Sequence, residues 1–217
     1  MAQGSNTDRR RVLLIFLSVG VGVTLIDQIT KYLSVSYLEN SDPVRLLWGA
    51  VYLTLVRNSG AAFSLGTDIT FVFPLVALVV LTVLGFVIWR VRSVAWAVAL
   101  GLVLGGVIGN LGDRLFRSPG PFVGHVVDMV SVFDERGQVF PVFNAADSAL
   151  TIGVAFIILL ELTGRQRDGT RLPSRAERAA AERVAAERVA AERADRERAD
   201  VERAERAGDE PAADPRG

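Results

Sequence analysis

The chain contains no cysteine, and that absence removes disulfides, thiolate catalysis and cysteine-based zinc sites together. Its one histidine, His125, leaves any zinc site without the usual ligands. Its one lysine, Lys31, would have to serve any serine–lysine peptidase, and no strong serine candidate accompanies it. Arginine outnumbers lysine 23 to 1, which reflects genome composition more than mechanism. No single sign of charge dominates. Residues 1–164 hold 11 basic and 11 acidic side chains and the last 53 hold 13 of each, so the zero net charge averages two unlike regions.

Long apolar runs are what the first region has in quantity. After Arg9-Arg10-Arg11, residues 12–26 are interrupted only by Ser18, two glycines and Thr24, and the segment continues to about 33 through Asp27, Gln28, Thr30 and Lys31. A positive stretch before an apolar one also describes a signal peptide. No small-x-small cleavage site follows, so a retained membrane helix is expected. Three further spans are predicted at about 69–89, 94–110 and 147–163, each able to cross most or all of a ~30 Å hydrocarbon core at ~1.5 Å per residue. The second and third are joined only by Arg90-Val91-Arg92-Ser93 and form an antiparallel hairpin.

Basic residues near the span ends set the orientation. Arg9 to Arg11, Arg90, Arg92, Arg165, Arg167, Arg171 and Arg175 gather on one side, which places both termini in the cytoplasm. The two long loops, about 34–68 and 111–146, then face outward, with residues 45 and 136 outside and 91 and 170 inside. The first loop has β character at 44–47 and 51–56 with Trp48 suited to the interface, and a small sheet lying on the membrane is expected. Domain organisation follows: 1–11 cytoplasmic, 12–163 a four-span membrane domain, 164–217 a charged tail.

In that tail Glu177, Glu182, Glu187, Glu192, Glu197 and Glu202 recur every five residues among Ala, Val and Arg, which favour helix. Five residues advance ~140° on a helix, so charge winds round every face and no apolar seam forms. A solvated single helix with a disordered end over 208–217 is expected.

Polar side chains within apolar segments are costly and usually functional. Asp27 and Lys31 lie four apart and could simply neutralise one another. Asp113-Arg114 could end the third span, and Asn144 with Asp147 resembles a helix capping box. Asp128, among Val126, Val127, Met129 and Val130, has no such structural reason. Taken together the balance changes: Lys31, Asn58, Asn110, Asp113, Arg114, Asp128, Asn144 and Asp147 all fall at the outer ends of spans or just beyond. Between Asp128 and Asp147 lies an excursion with a turn at 134–137 between two β-prone runs, able to return the chain near its start. Two carboxylates facing each other at a hydrophobic edge suit acid–base chemistry. An ion-coupled small membrane transporter subunit is the alternative, since transporters also use intramembrane Asp and Asn. Against it, no repeat is visible and the polar groups sit at one face.

Five ordered blocks carry a resemblance: Asp27-Gln28-Ile29-Thr30-Lys31, Asn58-Ser59-Gly60-Ala61-Ala62-Phe63, Gly109-Asn110-Leu111-Gly112-Asp113-Arg114, Val126-Val127-Asp128 and Phe143-Asn144-Ala145-Ala146-Asp147. In order and spacing they are similar to the lipoprotein signal peptidases (signal peptidase II), over about 12–163. Met129 stands where Phe is commoner and His125 where an aromatic often sits; neither departure touches the acids. The resemblance implies a polytopic all-α membrane protein of the bacterial cell membrane, with a small extracytoplasmic sheet. It implies an aspartic endopeptidase that removes the signal peptide of diacylglyceryl-modified prolipoproteins just before the lipidated cysteine. Asp128 and Asp147 match its catalytic pair. Asn58, Asn110, Arg114 and Asn144 match residues lining the site, and Asp27, Lys31, Gly60 and Asp113 match positions supporting it. Its partners would be lipidated substrate and membrane lipid, with no nucleic acid, no metal, no cofactor, and a monomeric state.

Overall fold

Glycines at every fourth position turn one helix into the centre of the molecule. The computed structural model describes residues 6–60, 70–173 and 175–208. Helix α3 (Val94–Phe116) packs against α1 (Asn6–Leu38), α2 (Val72–Ile88) and α4 (Ala145–Leu162). Gly101, Gly105 and Gly109 line its face toward α1, where a Cβ on Gly105 would lie 2.5 Å from Val23 Cβ and 2.6 Å from the Gly20 carbonyl. Gly106 faces the other way, and a Cβ there would lie 2.6 Å from the Ala146 carbonyl of α4. Small residues let the backbones close on both sides, as in helices that associate within lipid.

The core is a dry seam between these helices, built from Val12, Phe16, Leu84, Trp96, Leu100 and Leu160 among others. The outward faces are apolar too: Leu14, Val21, Leu25 and Ile29 of α1, and Val79, Val83 and Phe86 of α2, are each more than half exposed. Such surfaces are stable only in lipid. Helical segments Arg9–Leu38, Val94–Phe116 and Ala145–Leu162 are long and apolar enough to cross a membrane, and Val72–Ile88 is a shorter apolar helix of 17 residues. The first helix runs five residues past the expected end near 33, where Ser34 is buried, and α3 runs six past 110, where Asp113 and Arg114 find partners inside the protein.

Strands β1 (Val44–Leu46) and β2 (Val51–Asn58) form the expected small sheet, joined by a one-turn 3-10 stretch holding the exposed Trp48. A third strand, β3 (Val126–Val132), adds antiparallel to β2 and gives the order β1-β2-β3. An irregularity between Leu53 and Val56 shifts the β2–β3 register, so that Val56 faces Asp128 and Asn58 faces Val126. Of the two β-prone runs around the 134–137 turn only the first is a strand. The second returns as a single bridge, Phe143 to Val130. Asp134 builds the turn by accepting from the backbone N–H groups of Arg136, Gln138 and Val139 at 2.7, 2.9 and 2.8 Å.

Past α4, residues 164–171 fold under the α2–α3 connection. The Arg167 carbonyl accepts from the N–H groups of Arg92 and Ser93, and the Trp96 indole donates to the Arg165 carbonyl at 2.8 Å. The chain divides into two units, Met1–Arg171 and Leu172–Gly217. The second contains the exposed helix α5 (Arg175–Gly208). The expected disordered end beyond 208, the Ala61-Ala62-Phe63 part of the second block and the first residue of the second span lie outside the described residues.

Candidate active site

Asp128 sits in β3 and Asp147 in the first turn of α4, so a strand and a helix each supply one acid. The excursion between them closes as expected, with the Met129 and Val130 N–H groups donating to the Phe143 carbonyl. Asn144 is the next residue, and it joins the pair. Its side-chain oxygen accepts from the Asp147 N–H at 2.9 Å, and the Asp147 carboxylate accepts from the Asn144 N–H at 3.2 Å, a complete capping box. The same Asn144 amide donates to Asp128 Oδ1 at 2.7 Å. The cap expected from sequence is present, and it also serves the site.

Two more amides converge. Asn58, at the end of β2, donates to Asp128 Oδ2 at 3.0 Å, and Asn110 of α3 donates to Asp147 Oδ1 at 2.7 Å. The orientation of Asn58 is fixed by the Gly60 N–H, which donates to its Oδ1 at 2.8 Å. Gly60 has φ +99°, a conformation natural to glycine, and a Cβ there would meet the Phe73 ring. Asn144 is fixed likewise by the Asp147 N–H. Three NH₂ groups therefore point at two carboxylates, and every carboxylate oxygen of the pair accepts at least one hydrogen bond.

Beneath the pair, Lys31 is fully buried. Its ammonium meets Asp27 Oδ2 at 2.8 Å, Asp113 Oδ2 at 2.9 Å and Asn110 Oδ1 at 3.0 Å. The Asp27–Lys31 pair expected from spacing is there, but it is one edge of a larger cluster. Asp27 Oδ1 accepts from the Ala146 N–H at 2.9 Å, anchoring the start of α4. Asp113 pairs with Arg117 at 2.6 Å in place of the adjacent Arg114, and accepts from the Val127 N–H at 3.1 Å. Arg114 donates to the Gly124 carbonyl at 3.1 Å and lies 5.0 Å from the centroid of the Phe73 ring. Among the described residues, no fully buried polar side-chain atom lacks a hydrogen-bond partner.

A cavity of about 460 Å³ lies against this network, with Asn58, Asn110, Arg114, Asp128 and Asp147 in its polar wall. Its remaining walls are apolar residues of α2, α3 and α4, with Val126 of β3. Burial pushes the Asp128 carboxyl up to about 7. The Asn58 amide opposes the shift and the neighbouring Asp147 charge adds to it, while Asn144 and the Lys31 charge also oppose it. All ten residues singled out from sequence take part in or border this network. Sequence reasoning missed Arg117, Phe73 and the pairing of the first β-prone run, as β3, with β2. The i,i+4 spacing of Asp113 and Arg117 was available as a signal.

Fold and site define a helical membrane protein built round two amide-clasped aspartates at one edge of its bundle. The family model for signal peptidase (SPase) II matches residues 19–163, and the chain belongs to that family. A lipoprotein signal peptidase of Rhodococcus jostii is 47% identical over 165 residues, covering 76% of this chain and 80% of that protein. One from Streptomyces coelicolor is 40% identical over 162 residues, covering 75% and 76%. Among solved structures, a bacterial membrane enzyme determined by the in meso method superposes with a TM-score of 0.60 at 28% identity, covering 73% of this chain and 94% of that one. A second such structure gives 0.59 at 30% identity, covering 68% and 92%.

Proposed function

We propose that this protein is an aspartic endopeptidase of the bacterial cell membrane. It removes the signal peptide from diacylglyceryl-modified prolipoproteins, cutting just before the lipidated cysteine. Family membership supports the peptidase activity and the substrate class. The observation that carries the aspartic mechanism is the convergence of three asparagine amides on Asp128 and Asp147 at the wall of one cavity.

Two close carboxylates share one proton and titrate as a unit. In the working state Asp128 holds the proton and Asp147, at a helix N-terminus, is the base. Asp147 takes a proton from water as its oxygen attacks the scissile carbonyl carbon, and Asp128 gives its proton to the carbonyl oxygen. Collapse of the tetrahedral species breaks the C–N bond, and the amine leaves with a proton returned through the pair. The apolar cavity walls take the signal-peptide chain, and Arg114, held by Gly124 and Phe73, lines the site beside the acids. In this reading α2 is the second of four spans, both termini are cytoplasmic, and the sheet lies at the outer face as the arginine distribution requires. The ion-coupled transporter alternative finds no support in the family.

The test is incubation of the purified chain with a lipidated prolipoprotein and with its unlipidated twin. Cleavage of the first alone, ahead of the modified cysteine, is expected. Equal cleavage of both, or of neither, would sink the proposal.

A further inference from the structure

Each amide at the site must be turned the right way, because an asparagine reversed end for end would present its oxygen to a carboxylate. Backbone N–H groups turn Asn58 and Asn144, and no substitution of a side chain removes those donors. Asn110 differs. Its Oδ1 accepts from Lys31 Nζ at 3.0 Å and from Asn144 Nδ2 at 3.0 Å. The Asn144 amide divides its two hydrogens among Asn110, Asp128 Oδ1 at 2.7 Å and the Val127 carbonyl at 3.3 Å. Asn110 Oδ1 therefore has two donors, of which Lys31 alone is charged and the Asn144 amide is shared with Asp128 and Val127. An ammonium has three N–H groups and no acceptor, and those of Lys31 go to Asp27, Asp113 and Asn110.

From this we infer that Lys31 is a positioning residue of the reaction: it locks the Asn110 amide so that Nδ2 faces Asp147 Oδ1. The inference rests on the peptidase reading above. Lys31 is fully buried, and none of the described residues that line the cavity comes from α1, so it acts on Asp147 only through Asn110. The carboxylates on Lys31 serve as its holders: Asp27 is tied to the Ala146 N–H of α4, and Asp113 to the Val127 N–H of β3. The ammonium is thereby fixed relative to both elements that carry the acids. Without it Asn110 is held only by the shared Asn144 amide and by Asp147 itself, and its Nδ2 is no longer fixed, so Asp147 shifts from its working position. Misplacement on that scale costs about 10²-fold in rate.

Lys31→Met alone would strand Asp27 and Asp113, so the test is made in an Asp27→Asn background, where Oδ1 of the new amide still accepts from Ala146 and Arg117 still pairs Asp113. Turnover of a lipidated, fluorescently tagged prolipoprotein and thermal unfolding are measured on the full chain in micelles. Adding Lys31→Met should lower kcat by about 10²-fold and leave KM within about threefold, the pattern of a lost transition-state contact. In an Asn110→Ala chain the same pair should lower kcat no further. A kcat held within about threefold, or an equal loss in both backgrounds, overturns the inference. Lys31→Gln and Lys31→Leu in the same Asp27→Asn background give a second reading, because both remove the charge and only Gln can donate to Asn110. Gln should be at least about tenfold faster, and equal rates overturn the inference. Cleavage by the unaltered chain and its loss in Asp128→Asn report on the peptidase reading separately, whichever way Lys31 behaves.

Discussion

Asn144 caps α4 and clasps Asp128 with the same amide, so helix and chemistry meet in one residue. Asp147 has a similar double character. If it only completed the capping box, Asp147→Asn would cost at most ~1 kcal/mol of stability and spare turnover. As the proposed base it is required for proton transfer, and a rate loss of at least ~10²–10⁴-fold is expected, measured with lipidated substrate on protein shown to be folded. Asp128 gives a prediction in pH. Burial raises its folded carboxyl to about 7 from an ordinary 3.8, so the folded state binds the proton more tightly than the unfolded chain. The stability this contributes is complete below ~3.8 and is lost as pH rises through about 7. Unfolding temperature should therefore fall between pH 6 and 8.5, and the fall should flatten in Asp128→Asn. Turnover should fall in the same window as the pair loses its shared proton. At this scale the sequence was highly legible: a buried acid without a local partner, Asp128, stood out, and the capping box was visible from spacing alone. The network around Lys31 was not, because Asp113 and Asn110 reach it across about 80 residues of chain, beyond any local pattern.

Helix packing rests on absent side chains. Gly105→Val should destabilise the membrane unit by about 1–3 kcal/mol, since its Cβ alone would press on Val23 and the Gly20 carbonyl. Gly22→Ala, with nothing within 4 Å of the added Cβ, should be neutral or slightly stabilising. Thermal unfolding in detergent separates the two. Helix positions were readable because apolar runs bounded by arginine leave little freedom. Element ends were less so: α1 and α3 overran their expected limits where Ser34 and Asp113 are buried within the protein, a tertiary effect. The β-prone run before the 134–137 turn was legible, but its partner was not, since 126–132 pairs with a strand about 70 residues earlier.

The whole chain separates at Arg171. Truncation after 172 keeps the 164–171 segment on the Arg92, Ser93 and Trp96 contacts, and full proteolysis is expected from such a protein. Removal from 164 should lower its unfolding temperature. The cysteine-free background permits a labelling test of topology. Val91 is fully buried, so Arg92→Cys is the better inner probe and Arg45→Cys the outer one. An impermeant maleimide on intact cells should reach 45 and spare 92.

The helices are unequal in length, and the difference has a physical consequence. At ~1.5 Å per residue α2 and α4, with 17 and 18 residues, measure ~26 and ~27 Å, a few ångströms less than an average hydrocarbon core, whereas α1 with 33 is far longer. With α2 as the second span proposed above, a bilayer round the short pair must thin or the helices must shift, at fractions of a kcal/mol per Å. Asp147 rides the short α4 and Asp128 a strand outside the spans, so lipid thickness bears on the gap between them. Reconstituted in lipids of increasing acyl length, the protein should turn over fastest in the thinner bilayers and slow as the chains lengthen, a catalyst whose rate gauges the membrane it sits in.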